Sequence, residues 1–136
     1  MADQFKSGTF IKKMAFRFEE LRVFQSAAEL SNKIDQLTER FPKKEIYSLS
    51  SQIKRAADSV ILNIAEGSTG QSKPEFKRFL GIALRSGIEV AACLYLAFTR
   101  KYILETDYRT FYNDYEILCR MITSLRNSLG KPSTEP

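Results

Sequence analysis

Apolar residues recur along this chain at intervals of three and four, and four separate stretches keep that rhythm. From about residue 18 to residue 41 they are Leu21, Phe24, Ala27, Ala28, Ile34, Leu37 and Phe41. Pro42 then closes the pattern, because the residue before a proline is disfavoured in helical conformation. A second stretch, from about 45 to 66, runs through Leu49, Ile53, Ala57, Val60 and Ile64, and Gly67 is placed to cap it in the left-handed conformation. After the polar turn at 68–72, Ser72 and Glu75 form a capping-box pattern, with Pro74 tolerated in the first turn. The third stretch extends from about 73 to 101 through Phe76, Phe79, Leu80, Ala83, Val90, Leu94 and Ala97. Gly87 sits inside it at a cost of about 1 kcal/mol relative to alanine, which predicts close approach of another backbone. Thr106 and Asp107 open a fourth stretch carrying Phe111, Tyr115, Leu118, Ile122, Leu125 and Leu129, which Gly130 and Pro132 end.

Four helices joined by about three to six residues predict an all-α fold, an antiparallel up-down-up-down four-helix bundle. Helices of about 22 to 29 residues reach roughly 33 to 43 Å at 1.5 Å per residue. The expected organisation is a loosely ordered basic leader at 1–17, a bundle at 18–130 and a tail at 131–136.

Composition narrows the function classes. At 136 residues with 43% hydrophobic and 27% charged, the chain reads as one soluble domain. No unbroken apolar run of about 18 residues is present, which predicts no membrane span. The first residues lack a signal-peptide pattern, so cytoplasmic residence is the default expectation. Cys93 and Cys119 lie within helical patterns, without metal-type spacing, and are expected to be free thiols. Histidine is absent, which removes the commonest general base and metal ligand together. No glycine-rich phosphate loop appears either. The inventory predicts no enzyme, no cofactor and no metal. A catalytic pair drawn from Asp58, Glu66 and Glu89 is a remote alternative, since no second reactive group accompanies it.

Net charge is +5, with an excess of +5 on residues 43–101 and +3 on residues 1–17. Lys73, Lys77, Arg78 and Arg85 cluster early in the third helix, and Lys54 and Arg55 lie on the adjoining one. Such a cationic flank suits the phosphates of a nucleic acid, while the plain alternative is a solubilising stripe. Lys6, Lys12, Lys13 and Arg17 add to it or form a solvated tail. The clustered phenylalanines and tyrosines of the last two helices have helical spacing and are read as core or interface material rather than as base-stacking platforms.

The second helix departs most from an ordinary bundle helix. It keeps one broad apolar face, yet Arg55, Asn63 and Glu66 lie close to it. Polar groups so placed commonly specify a register or an interface. A symmetric turn between 66 and 73 sets Arg55 near Arg85 and Glu89, and Gln52 near Ser86 and Gly87. An Arg55–Glu89 ion pair is therefore expected across the hairpin. Asn63 and Glu66 share a flank and either satisfy backbone at the helix end or contact a neighbouring subunit.

The stretches QIKRAADSVILNIAEG and PEFKRFLGIALRSGIEV resemble the 23S rRNA-intervening-sequence protein family, also called S23-like, over about residues 18–130. Glu20, Leu21, Phe24, Ala28, Leu30, Pro42 and Glu45 fit the same pattern. Its polar positions correspond here to Gln52, Arg55, Ser59, Asn63, Glu66, Ser86 and Glu89. Arg85 stands where the family usually has glycine, with Gly87 displaced beyond it. The resemblance implies a ring-shaped homopentamer. It also implies kinship with the basic, nucleic-acid-binding accessory protein of diversity-generating retroelements. The expectation that follows is a non-enzymatic homo-oligomer binding nucleic acid through helices two and three. The alternative is a scaffold that recruits a protein partner.

Overall fold

A computed structural model describes residues 18–70 and 72–130. Among them four α-helices follow two short 3-10 turns: α1 (Arg22–Thr38), α2 (Leu49–Gly67), α3 (Lys73–Thr99) and α4 (Glu105–Ser128), with the turns at Phe18–Glu20 and Lys43–Glu45. The chain is all-α, and the helices pack as an antiparallel bundle. The expected leader at 1–17 and tail at 131–136, including Lys6, Lys12, Lys13 and Arg17, lie outside the described residues.

Each helix buries the central part of the stripe its spacing announced. On α1, however, Val23 and Leu30 join Ala27, Ile34 and Leu37 in the core, while the expected Leu21, Phe24 and Ala28 are only half-buried. Ile34, Ile53, Val60, Ile64, Leu80, Val90, Leu94, Leu118 and Ile122 are wholly enclosed, and Tyr115 joins them. Each such aliphatic side chain contributes about 1.5–3 kcal/mol by leaving water. The seam between α2 and α3 is the most extensive, followed by α3–α4 and α1–α2, while α1 and α4 touch least.

The helix ends differ from the expected ones for identifiable reasons. α1 begins four residues later than expected, because Leu21 is extended (φ −81°, ψ 128°) and sets Phe18–Glu20 back on the helix. Phe18 and Phe24 then pack with ring centres 4.7 Å apart and planes tilted by 50°. α1 ends before Pro42 through i→i+3 bonds from Glu39, Arg40 and Phe41. α2 starts at Leu49 rather than near 45, because Glu45 belongs to a separate 3-10 turn. Gly67 does not take the left-handed conformation; that falls to Gly70 (φ 90°) and Gly130 (φ 85°). Thr106 does not cap α4, since its N-cap is Leu104. α3 stops at Thr99 with Lys101 left-handed (φ 65°), and Tyr102 N–H bonds back to the Ala97 carbonyl at 2.9 Å. At the other end Ser72 Oγ accepts from Glu75 N–H at 3.2 Å, as the cap pattern requires, but the Glu75 carboxylate turns to Arg78.

Gly87 admits a side chain rather than a backbone: a Cβ there would lie 2.8 Å from Cys119 Sγ on α4. By length and composition α3 is long and apolar enough to cross a membrane. In this fold it packs one side against α2 and α4, leaving its outer side uncovered.

Candidate nucleic-acid interface

The α2–α3 seam holds most of the polar residues singled out by sequence, and it arranges them in a different order from the one expected. Glu89 accepts from Gln52 Nε2 at 2.7 Å, so the carboxylate expected to meet Arg55 is already engaged. Arg55 is exposed and has no hydrogen bond or ion pair among the described residues. Ser86 donates to Ser59 Oγ at 2.8 Å and therefore sits opposite Ser59 rather than Gln52. Asn63 Nδ2 donates to the same hydroxyl at 3.0 Å and to the Ser59 carbonyl at 2.8 Å. Asn63 thus serves its own helix, whereas the Glu66 carboxylate has no partner among the described residues.

The shift in register has a steric cause. Phe79 packs against the bare backbone of Gly67, where a Cβ would lie 2.6 Å from Phe79 Cβ and 3.0 Å from Phe76 Cδ1. That nesting slides α3 along α2 beyond the position a symmetric turn gives. Glycine is needed here for close approach, not for a turn.

The six cations split by circumstance. Lys54 pairs with Asp35 at 3.3 Å, and both ends are about half exposed. Arg78 pairs with Glu75 at 3.0 Å and lies 4.5 Å from the centre of the Phe79 ring. Lys77 donates to the Gly130 carbonyl, fastening α3 to the end of α4. Lys73, Arg55 and Arg85 are exposed and have no anionic partner among the described residues. Exposed pairs such as Lys54–Asp35 and Arg78–Glu75 are worth little and exchange readily for another anion.

At the opposite end of the bundle a buried carboxylate does structural work that the helical periodicity did not signal. Glu45 accepts from Ser48 Oγ and Tyr102 O–H at 2.6 Å each, from Arg100 Nη1 at 3.1 Å and from Leu49 N–H at 3.2 Å. The bonds from Ser48, Tyr102 and Leu49 outweigh desolvation and hold its pKa down to about 2. The bond to Glu45 also keeps the Tyr102 phenol protonated, raising its pKa. Glu45 thus ties the α1–α2 link to the α3–α4 link. Cys93 is raised to about 11 by burial and Cys119 is raised likewise; both are free thiols.

Not all the aromatics are enclosed. Phe98 and Tyr108 stack at 5.0 Å, but Tyr95 and Tyr112 project from the surface of α3 and α4. Among the described residues no group of three or more His, Cys, Asp or Glu side chains could hold a metal ion.

A four-helix all-α bundle with a polar, partly charged α2–α3 seam defines a class of small helical-bundle proteins rather than a particular chemistry. The chain belongs to the 23S rRNA-intervening sequence protein family, whose sequence model matches residues 19–124. It is similar to a crystal structure at 1.70 Å of a protein of unknown function from the S23 ribosomal protein family of Bacteroides thetaiotaomicron VPI-5482. The two are 26% identical, with a TM-score of 0.72, over 77% of this chain and 95% of that one. A comparison with the curated proteins finds no match.

Proposed function

We propose that this protein is a non-enzymatic homo-oligomeric bundle that binds nucleic acid through phosphate contacts from α2 and α3. The observation that carries this reading is that Arg55, Lys73 and Arg85 stand exposed with no anion to answer them among the described residues. Lys54, Lys77 and Arg78 extend the same cationic surface, two of them through exposed ion pairs that a phosphate can displace. Repeating such a weak surface around an assembly, a ring in the family's implied form, raises affinity through multivalency without new contacts.

A salt titration of binding to a structured RNA and to duplex DNA tests the reading. Binding carried by phosphate contacts weakens linearly on a log–log plot against salt, with a slope set by the number of phosphates engaged. Absence of binding to either at about 50 mM salt rejects it.

A scaffold that recruits a protein partner is the second reading, and a specific observation favours it: Leu62, Ile88 and Tyr95 project apolar surface from the same two helices. Purification with one stoichiometric protein and no nucleic acid supports the scaffold over the nucleic-acid reading.

A further inference from the structure

The two ends of the bundle are built differently. At one end α2 passes into α3 through a polar turn, and Ser68, Thr69 and Gly70 expose no large apolar side chain there. At the other end the α1–α2 link and the α3–α4 link lie side by side. Glu45 accepts from Tyr102 O–H at 2.6 Å and from Arg100 Nη1 at 3.1 Å. Phe41 packs against Tyr102 with ring centres 5.6 Å apart, and Arg40 pairs with Asp107 at 2.7 Å. From this joined pair of links three large apolar side chains project into solvent: Ile46 is 50% exposed, Leu104 69% and Tyr47 95%. Tyr47 is almost free of its own chain. Exposed apolar clusters rimmed by polar residues mark places where something else binds.

The rim is cationic. Arg40, Arg100 and Arg109 are answered by Asp107, Glu45 and Glu105. Lys43, Lys44 and Lys101 remain, against Glu39 alone, all exposed and without an ion pair among the described residues. Lys101 stands at the turn itself, its backbone left-handed (φ 65°). The surplus on this end is positive, and the Glu45 contacts hold both links in one arrangement before anything binds.

We infer that this end is a peripheral membrane-binding tip. Ile46, Tyr47 and Leu104 enter the headgroup region of an anionic bilayer, while Lys43, Lys44 and Lys101 meet its phosphates and carboxylates. Ile46 and Leu104 are aliphatic and offer no flat face to a base, so contact with a nucleic acid would leave them unused. A bilayer accepts apolar side chains of any shape and adds attraction for each lysine near its surface. Tyrosine suits the boundary, with an apolar ring and a hydroxyl that stays wet. The lysines reach it too, laying their apolar stems against the acyl boundary with the charge among headgroups. Because both links are already fixed by Glu45, little ordering is required on binding. The tip lies at the other end of the bundle from Lys73 and Lys77 and does not depend on the nucleic-acid reading.

The chain has no tryptophan, so Tyr47→Trp, one interfacial aromatic for another, places a single reporter at the tip. Sedimentation with vesicles of phosphatidylcholine carrying about 30 mol% phosphatidylserine, beside vesicles of phosphatidylcholine alone, reads binding. The full chain should sediment with the anionic vesicles, less so at high salt, and the tryptophan emission should move to shorter wavelength with them. Leu104→Asp, which leaves a favoured N-cap on α4, should lose most of the binding and, combined with the reporter, the emission shift. Lys43→Gln and Lys44→Gln should each weaken binding about fivefold. Unchanged helical circular dichroism verifies that each variant folds. Failure to sediment overturns the proposal. Sedimentation without an emission shift, or undiminished in Leu104→Asp, overturns it as well, since the cations of α2 and α3 would then carry the attraction. An emission change with a structured RNA but not with vesicles assigns the tip to nucleic acid and overturns the membrane reading.

Discussion

The α2–α3 seam and the α1–α4 seam enclose the same hydrophobic core on different terms. Across α2–α3 the side chains interlock: Phe79 fills the space a glycine leaves, Ser86 meets Ser59, and Gln52 meets Glu89. Across α1–α4 the helices stand apart, with a recess lined by Ile117 and by Glu29, Lys33 and Asp114, none of which forms an ion pair among the described residues. The first seam is complete within one chain. The second is left unfinished, as is the outer side of α3. The lesson concerns where to look for function in a bundle: groups satisfied inside the chain hold it together, and groups left without partners are the ones available to something else.

Closing the gap left by a missing side chain should break the tight seam first. Gly67→Ala brings a Cβ to 2.6 Å from Phe79 Cβ, and overpacking of this kind costs about 1–3 kcal/mol. Ser26→Ala, beside the open recess, should change stability by less than about 0.5 kcal/mol. Urea unfolding of the two variants measures the contrast, and equal losses would show that the seams are packed alike.

Glu45→Gln should come next, lowering the melting temperature by roughly 5 to 10 °C. The carboxylate is held near pKa 2 in the fold against an ordinary value of 4.5. Its stabilisation is therefore present in full above about pH 4.5 and is lost as the pH falls toward 2. Thermal melts between pH 2 and pH 6 should show this acid sensitivity in the wild type and a flatter profile in the variant.

A smaller effect of opposite sign is expected at Tyr115. Its hydroxyl is buried and finds no hydrogen-bond partner among the described residues, and burial raises its pKa. Tyr115→Phe should raise the melting temperature by a few degrees, because an unsatisfied buried polar group costs about 1–3 kcal/mol. A lower melting temperature would mean that the hydroxyl is satisfied in solution.

The smallest effect on folding is expected at Arg55. Arg55→Ala should leave stability within about 0.5 kcal/mol, yet reduce the salt slope of RNA binding by about one. An unchanged slope would take Arg55 out of the nucleic-acid surface.

Much of this architecture was legible along the chain. The stripe through Ile53, Val60 and Ile64 is the buried face of α2, Ser72 caps α3, and Pro42 and Gly130 follow the ends of α1 and α4. The residues of the candidate surface were legible as types and as angular positions, since Arg55, Lys73 and Arg85 are indeed exposed. Their partners were not. The Arg55–Glu89 pair failed because Gln52, one turn earlier, reaches the carboxylate first. Gly67 misled because a glycine near a helix end serves either a left-handed cap or a close contact, and the two look alike in sequence.

By itself, the order of residues determined four amphipathic rods, their approximate ends and which side of each is apolar. Spacing encodes the angle at which a side chain leaves its helix, so those features are local. Tertiary structure alone decided how far α3 slides along α2, which acceptor Ser86 finds, and that α1 and α4 remain ajar. Those outcomes depend on axial height between neighbours, and height is set by side chains such as Phe79 finding room against another helix.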